Sequence, residues 1–151
     1  ENGKLSKQFN YQFGKKDGVY QEFYDNGNLK YECNYLNDEI EGYVLNYSEG
    51  GQKLKEGNYI NGKKNGLWKT YYENGEKESK KYYKDDKLNG ESKEWYKTGQ
   101  KKFEGEYLLG KGLNTHTKWH YNGKISETIK YRKNGTIAKL KKWNENGQKI
   151  N

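Results

Sequence analysis

Only 30% of this chain is hydrophobic, and that share already counts 16 tyrosines among the 151 residues. Its mean hydropathy is −1.49. Chains so polar often stay disordered, because they cannot bury enough apolar surface to offset chain entropy. No apolar run is long enough to span a membrane, and no leader pattern is visible. Cys33 stands alone, which excludes an intramolecular disulfide and a cysteine metal cluster. A single arginine, Arg132, sits among 29 basic residues. That shortage argues against a nucleic-acid partner, since nucleic-acid readers rely on arginine forks. Methionine is absent even at residue 1, which fits removal of an export signal and fits a trimmed chain equally. No phosphate loop, nucleophile elbow or Ser, His and Asp grouping occurs, so no catalytic, cofactor or metal residues are assigned.

What the chain has instead is repetition. Glycine recurs every 24 residues, at Gly3, Gly27, Gly51, Gly75, Gly99, Gly123 and Gly147, without insertion or deletion. Such a period marks a tandem array in which each unit contacts mainly its neighbours. Tyrosine occupies Tyr11, Tyr35, Tyr59, Tyr83, Tyr107 and Tyr131, and a second column is always aromatic: Phe23, Tyr47, Tyr71, Trp95, Trp119 and Trp143. A second glycine column runs through Gly18, Gly42, Gly66 and Gly90, then lapses to Asn114 and Ala138. The whole chain, 1–151, reads as one repeat domain with units 1–24, 25–48, 49–72, 73–96, 97–120 and 121–144 and a partial unit 145–151. An aromatic content of 16% supplies the burial that the composition otherwise lacks.

Each unit predicts a β-hairpin. Asn-Gly turns, as at Asn26-Gly27 and Asn74-Gly75, separate runs rich in Tyr, Trp, Phe and Thr. The fold class is therefore all-β: an elongated, open antiparallel meander of stacked hairpins with about twelve strands. A two-residue turn would place the Trp68 column on the face carrying Leu5, Leu29 and Ile125, whereas a three-residue loop with a glycine bulge would place the Tyr71 column there. The Glu-Asn-Gly and Asp-Asn-Gly triplets favour the bulged loop. The column Tyr20, Val44, Trp68, Ser92, His116 and Leu140 is chemically loose and is expected on an exposed face, and the strictly aromatic column is expected to pack.

The unit from Glu56 to Gly75, with Glu56-Gly57-Asn58-Tyr59 followed by Gly66-Leu67-Trp68-Lys69-Thr70-Tyr71-Tyr72, resembles the bacterial variant of the MORN repeat. The resemblance covers essentially the whole chain, most specifically in the first and third repeats. It implies a rod or gently curved groove used for binding or scaffolding, with a protein or glycan as partner. It further implies a non-enzyme, and export to the cell envelope or beyond, with a cytoplasmic, antitoxin-like binder as the alternative. The departures at Asn114 and Ala138 unsettle the last two repeats, where Asn134-Gly135 offers a displaced turn. Choline-binding and glucan-binding wall modules also stack aromatic hairpins. On that second resemblance Trp68, Tyr72, Trp95 and Tyr96 would form an aromatic cage for a quaternary ammonium or sugar.

Charge is uneven. Residues 25–48 carry one lysine against five acids, while residues 121–144 carry seven lysines or arginines against Glu127. Lys139, Lys141 and Lys142 make the basic end a candidate for anionic glycan or an anionic membrane surface. His116 and His120 fall on one predicted strand, about 13 Å apart, too far to share a metal ion. Paired carboxylates, Asp85-Asp86 or Glu104 with Glu106, would be the basis of a glycosidase, but the first pair falls in a predicted turn and an open sheet lacks an enclosed pocket. Cys33 is expected to pack. Nothing in the sequence fixes the oligomeric state.

Overall fold

The computed structural model describes residues 6–150, so the expected turn at Asn2-Gly3 and the placement of Leu5 lie outside the described residues. Among those described there is no helix. The strands are β1 (Lys7–Gln8), β2 (Tyr11–Gln12), β3 (Lys15–Lys16), β4 (Gly18–Phe23), β5 (Leu29–Leu36), β6 (Glu39–Tyr47), β7 (Lys53–Ile60), β8 (Lys63–Tyr71), β9 (Lys77–Lys84), β10 (Lys87–Trp95), β11 (Lys101–Leu108), β12 (Lys111–Trp119), β13 (Ile125–Tyr131), β14 (Ile137–Trp143) and β15 (Lys149–Ile150). Thirteen of them form one open antiparallel sheet in chain order, with β1 beside β4. The meander breaks only in the first repeat, where β2 and β3 make a separate two-stranded hairpin.

Two kinds of turn alternate, and each explains one part of the repeat. At Asn37-Asp38, Asn61-Gly62 and Asp85-Asp86 both central residues have positive φ, the two-residue turn that matches strand twist. The Asn-Gly turns of the 24-residue glycine column are different. In the loop after β4, Gly27 N donates to Tyr24 O and Tyr24 N donates to Asn28 O, closing a three-residue loop in which Gly27 alone has positive φ. This is the bulged loop favoured by the triplets, and it pairs Phe23 with Leu29 and Trp119 with Ile125.

Asparagine in those loops therefore serves something other than backbone conformation. Asn26, Asn74 and Asn122 each donate a side-chain hydrogen bond to a carbonyl of the next loop, at Glu49, Lys97 and Glu145. Their Oδ1 atoms accept from the backbone N of Asn28, Glu76 and Lys124. One side chain thus fixes its own turn and ties it to the next repeat.

The second glycine column marks a bulge inside the strand. Gly18, Gly42, Gly66 and Gly90 all have positive φ, and Asn114 keeps that conformation at φ 57. Ala138 does not, and β13 pairs with β14 without an interior bulge; its only register shift lies beside Tyr131. The connection there is the displaced turn at Asn134-Gly135, with Gly135 N donating to Arg132 O. The irregular glycine ruler thus corresponds to a real change of geometry in the sixth repeat.

Which column is buried reverses the expectation from the sequence. Five of the six members of the loose column, Tyr20, Val44, Trp68, Ser92 and His116, are buried, with Val44 at 1% exposure and Trp68 at 4%, and only Leu140 is exposed as expected. The strictly aromatic column is only half-buried throughout. The loose column looked permissive because each member is fitted to a different neighbour. Eleven residues earlier, on the preceding strand, lies a neighbour of each: Lys81 pairs with Ser92, while Cys33, Gly57 and Gly105 fall at the bulge, Cys33 clustered with Val44, Gly57 under the Trp68 ring and Gly105 under His116. Large side chains sit over glycine and smaller ones over larger neighbours. A Cβ on Gly57 would lie 2.2 Å from the Trp68 ring, and one on Gly105 would lie 2.7 Å from His116. Close packing of this kind is conserved as summed volume, which a single column does not display. Cys33 is buried at 2%, and burial pushes its thiol pKa up, so it packs as expected.

Candidate binding surface

The tyrosines singled out as cage residues are used between repeats. Tyr24 Oη donates to Tyr47 O, Tyr72 Oη to Trp95 O and Tyr96 Oη to Trp119 O, each at 2.7–2.8 Å. His120 takes the same place: its Nε2–H donates to Trp143 O at 2.8 Å. These four side chains clamp one loop to the strand end of the next hairpin. Trp68 is buried, so it cannot form an exposed cage wall, and no ring pair forms within the set Trp68, Tyr72, Trp95 and Tyr96. The wall-module cage is therefore not assembled from these residues.

His116 belongs to the interior rather than to a binding surface. It is 2% exposed, its ring packs against Phe103, Tyr107 and Tyr131, and its Nε2–H donates to Glu106 O at 2.7 Å. His120 lies beyond the end of β12 in the clamp described above, so the two histidines do not share a strand face. The three candidate lysines are also divided. Strand alternation along β14 puts Lys139 and Lys141 on one side and Lys142 on the other. Lys142 approaches Glu127 at 3.9 Å, beside the closer Lys118 at 2.8 Å. Asp85-Asp86 forms a turn, and Asp86 Oδ1 accepts from Lys64 N, which binds that carboxylate into the fold.

One side of the sheet is an ionic ladder. Lys80 meets Glu91 at 3.3 Å, Lys93 bridges Glu91 at 2.6 Å and Glu104 at 3.3 Å, and Lys101 closes on Glu104 at 2.9 Å. Its most enclosed member is Glu56, which accepts from Lys53, Lys69 and Tyr71 Oη at 2.8–3.0 Å. Burial alone would raise the Glu56 pKa, but those three hydrogen bonds hold it at about 2. Burial and then the same carboxylate push Tyr71 up to about 12.

The opposite side carries the buried column and a row of tyrosines. Tyr59 and Tyr83 stand edge-on to Trp68 with ring centroids at 5.1 Å and 6.3 Å. Above the indole are two ammonium groups, Lys55 Nζ at 5.2 Å and Lys64 Nζ at 4.9 Å from its centroid. Burial lowers the Lys55 pKa, and the nearby Lys64 charge lowers it further. These lysines were invisible as a pair in the sequence. They meet only because the Gly66 bulge sets the register of β8 against β7, and no motif carries that register.

The geometry agrees with the family match. The MORN repeat variant family matches residues 16–37, 64–85 and 88–108, and these stretches are repeats of that variant. Together they span under half of the chain, but the intervening stretches keep the same period and pairing. The match does not carry the bacterial qualifier. Each matched stretch contains one clamping tyrosine, Tyr24, Tyr72 or Tyr96, where the unmatched repeats have Ser48 and His120. No curated protein matches the chain.

Proposed function

We propose that this chain is a non-catalytic MORN-type platform whose open sheet binds an extended protein or glycan partner. One observation carries the reading: tyrosine and asparagine side chains of the turns are consumed in joining repeats, while the continuous 13-stranded sheet leaves partly exposed other side chains that differ between repeats, as where Lys55, Phe103 and Glu127 share one repeat position. A surface built that way presents a non-repeating pattern on a regular frame, as repeat proteins that bind elongated partners do. MORN repeats commonly serve as protein-binding or membrane-binding modules, which supports a binding role in general. The proposal places the protein outside the cytoplasm, and fractionation of native cells tests that part.

The partner is tested by cross-linking in native extract together with a glycan array. The expected outcome is saturable capture of one partner, with contacts spread over at least two adjacent repeats on one side of the sheet. Reproducible turnover that disappears with Glu104→Gln or Asp86→Asn would overturn the non-catalytic reading.

A further inference from the structure

We propose that the depression over Trp68 binds a small soluble phosphate monoester. The depression has a volume of about 340 Å³ and is lined by Lys55, Lys64, Lys81 and Lys102 around the indole. That volume falls at the small end of the range for small-molecule sites. Two carboxylates, Glu78 and Glu94, also line it, and Glu94 is taken by Lys81 at 2.6 Å. Among the described residues the ammonium groups of Lys55 and Lys64 have no carboxylate within ion-pair distance, so the site holds unbalanced positive charge before any ligand arrives.

Several lysines elsewhere in the sheet are compensated. Lys30, Lys53, Lys80 and Lys93 each have a hydrogen-bonded glutamate that raises their pKa, whereas Lys55 is shifted the opposite way. Such uncompensated, partly desolvated cations gather at binding sites more often than in structural positions. A second observation is independent of charge. The indole Nε1 of Trp68 is buried and has no hydrogen-bond acceptor, in a residue 4% exposed. The wall adds a hydroxyl pair, Thr70 Oγ1 and Ser79 Oγ at 2.8 Å, able to accept or donate as a ligand requires.

The donor chemistry selects the anion. A planar carboxylate is matched by the arginine fork, and no arginine lines this site; compact ammonium groups act as point charges and suit a tetrahedral dianion. Four ammonium groups facing two carboxylates suit that same dianion. Tyr83 and Trp95 on the rim offer aromatic surface to the organic part of the ester.

The cluster is absent from both adjacent repeats, and the same two positions are lysine again only in the first repeat, as Lys7 and Lys16, where Tyr20 replaces the indole. One repeat either side of Lys55 stand Tyr31 and Ser79, and one repeat either side of Lys64 stand Ile40 and Leu88. A polymer or a flat membrane would engage a recurring pattern, so a discrete solute is the better match.

Calorimetric titration with glucose 6-phosphate, with inorganic phosphate and glucose as comparisons, tests the site in the wild-type chain and two double variants. Lys55→Gln with Lys64→Gln should weaken the phosphate ester at least about tenfold, while Lys130→Gln with Lys139→Gln, equal in net charge, should change it less than about twofold. Equal weakening in both would mean general electrostatics and overturn the site. So would the absence of saturable binding, or binding confined to vesicles bearing phosphorylated inositol lipid. Should the first double variant fail to fold, the wild-type protein still decides the matter by NMR. Added glucose 6-phosphate must shift the Trp68 indole N–H resonance, and an unmoved resonance overturns the proposal.

Discussion

Repeats three and five solve one packing problem in two ways. In both, a large ring lies over a glycine on the neighbouring strand, Trp68 over Gly57 and His116 over Gly105. Around His116 three aromatic rings close in and Nε2 is hydrogen-bonded to Glu106 O. Around Trp68 the indole N–H has no acceptor, and Lys55 and Lys64 stand where the equivalent positions around His116 hold Phe103 and Gly112. The same backbone thus carries a satisfied buried polar group in one place and, in another, a buried unsatisfied one beneath two ammonium groups. Periodicity dictates the frame, and the departures from it within the buried column decide the chemistry.

The largest expected effect comes from removing the wider ring. Trp68→Ala should destabilise the array by about 3–5 kcal/mol in denaturant unfolding, because it empties a buried aromatic site. Trp95→Ala, in the half-buried column, should lose less, and equal losses would undo the ranking of the two columns. Acid gives the next effect. Glu56 has a folded pKa of about 2 against an ordinary 4.5. Its contribution is therefore fully present above about pH 5 and disappears as pH falls toward 2, amounting to about 3 kcal/mol at most. Glu56→Gln should flatten that acid limb in a pH series of melting curves.

Smaller effects sharpen the contrast between the repeats. Gly57→Ala should cost about 1–3 kcal/mol by forcing the indole off the backbone, and Gly105→Ala should cost less because its contact is looser. His116→Phe should cost about 1–3 kcal/mol, since it leaves the Glu106 carbonyl without its donor. The smallest is Tyr72→Phe, about 1 kcal/mol for one clamp, read from the same unfolding curves.

The hairpin meander was legible in the sequence because its signals are local: glycine where φ must be positive, asparagine beside it, aromatic runs between. The bulged loop was legible from the triplets for the same reason. Burial was not. Whether position 68 faces inward depends on the bulge at Gly66 and on what stands at Gly57, and reading one column at a time hides that pairing. Tyr72 and Tyr96 looked like ligand-facing aromatics because a hydroxyl aimed at a backbone carbonyl 23 residues later leaves no sequence signature beyond the period. The Lys55 and Lys64 pair was missed because the two belong to different columns.

The clamp series skips one seam. Ser48 replaces the tyrosine and Gly50 the asparagine, so among the described residues no side-chain bond joins the loop at 48–52 to the loop at 72–76. Directly beside that seam, on β7 and β8, sits the Glu56 hub, the most enclosed carboxylate of the ionic ladder. Acid therefore acts as a selective scissor. Protonating one carboxylate loosens a junction that lacks the loop-to-loop side-chain bond of the other seams, and the rod should melt as two cooperative blocks that part between β7 and β8 instead of fraying from its ends.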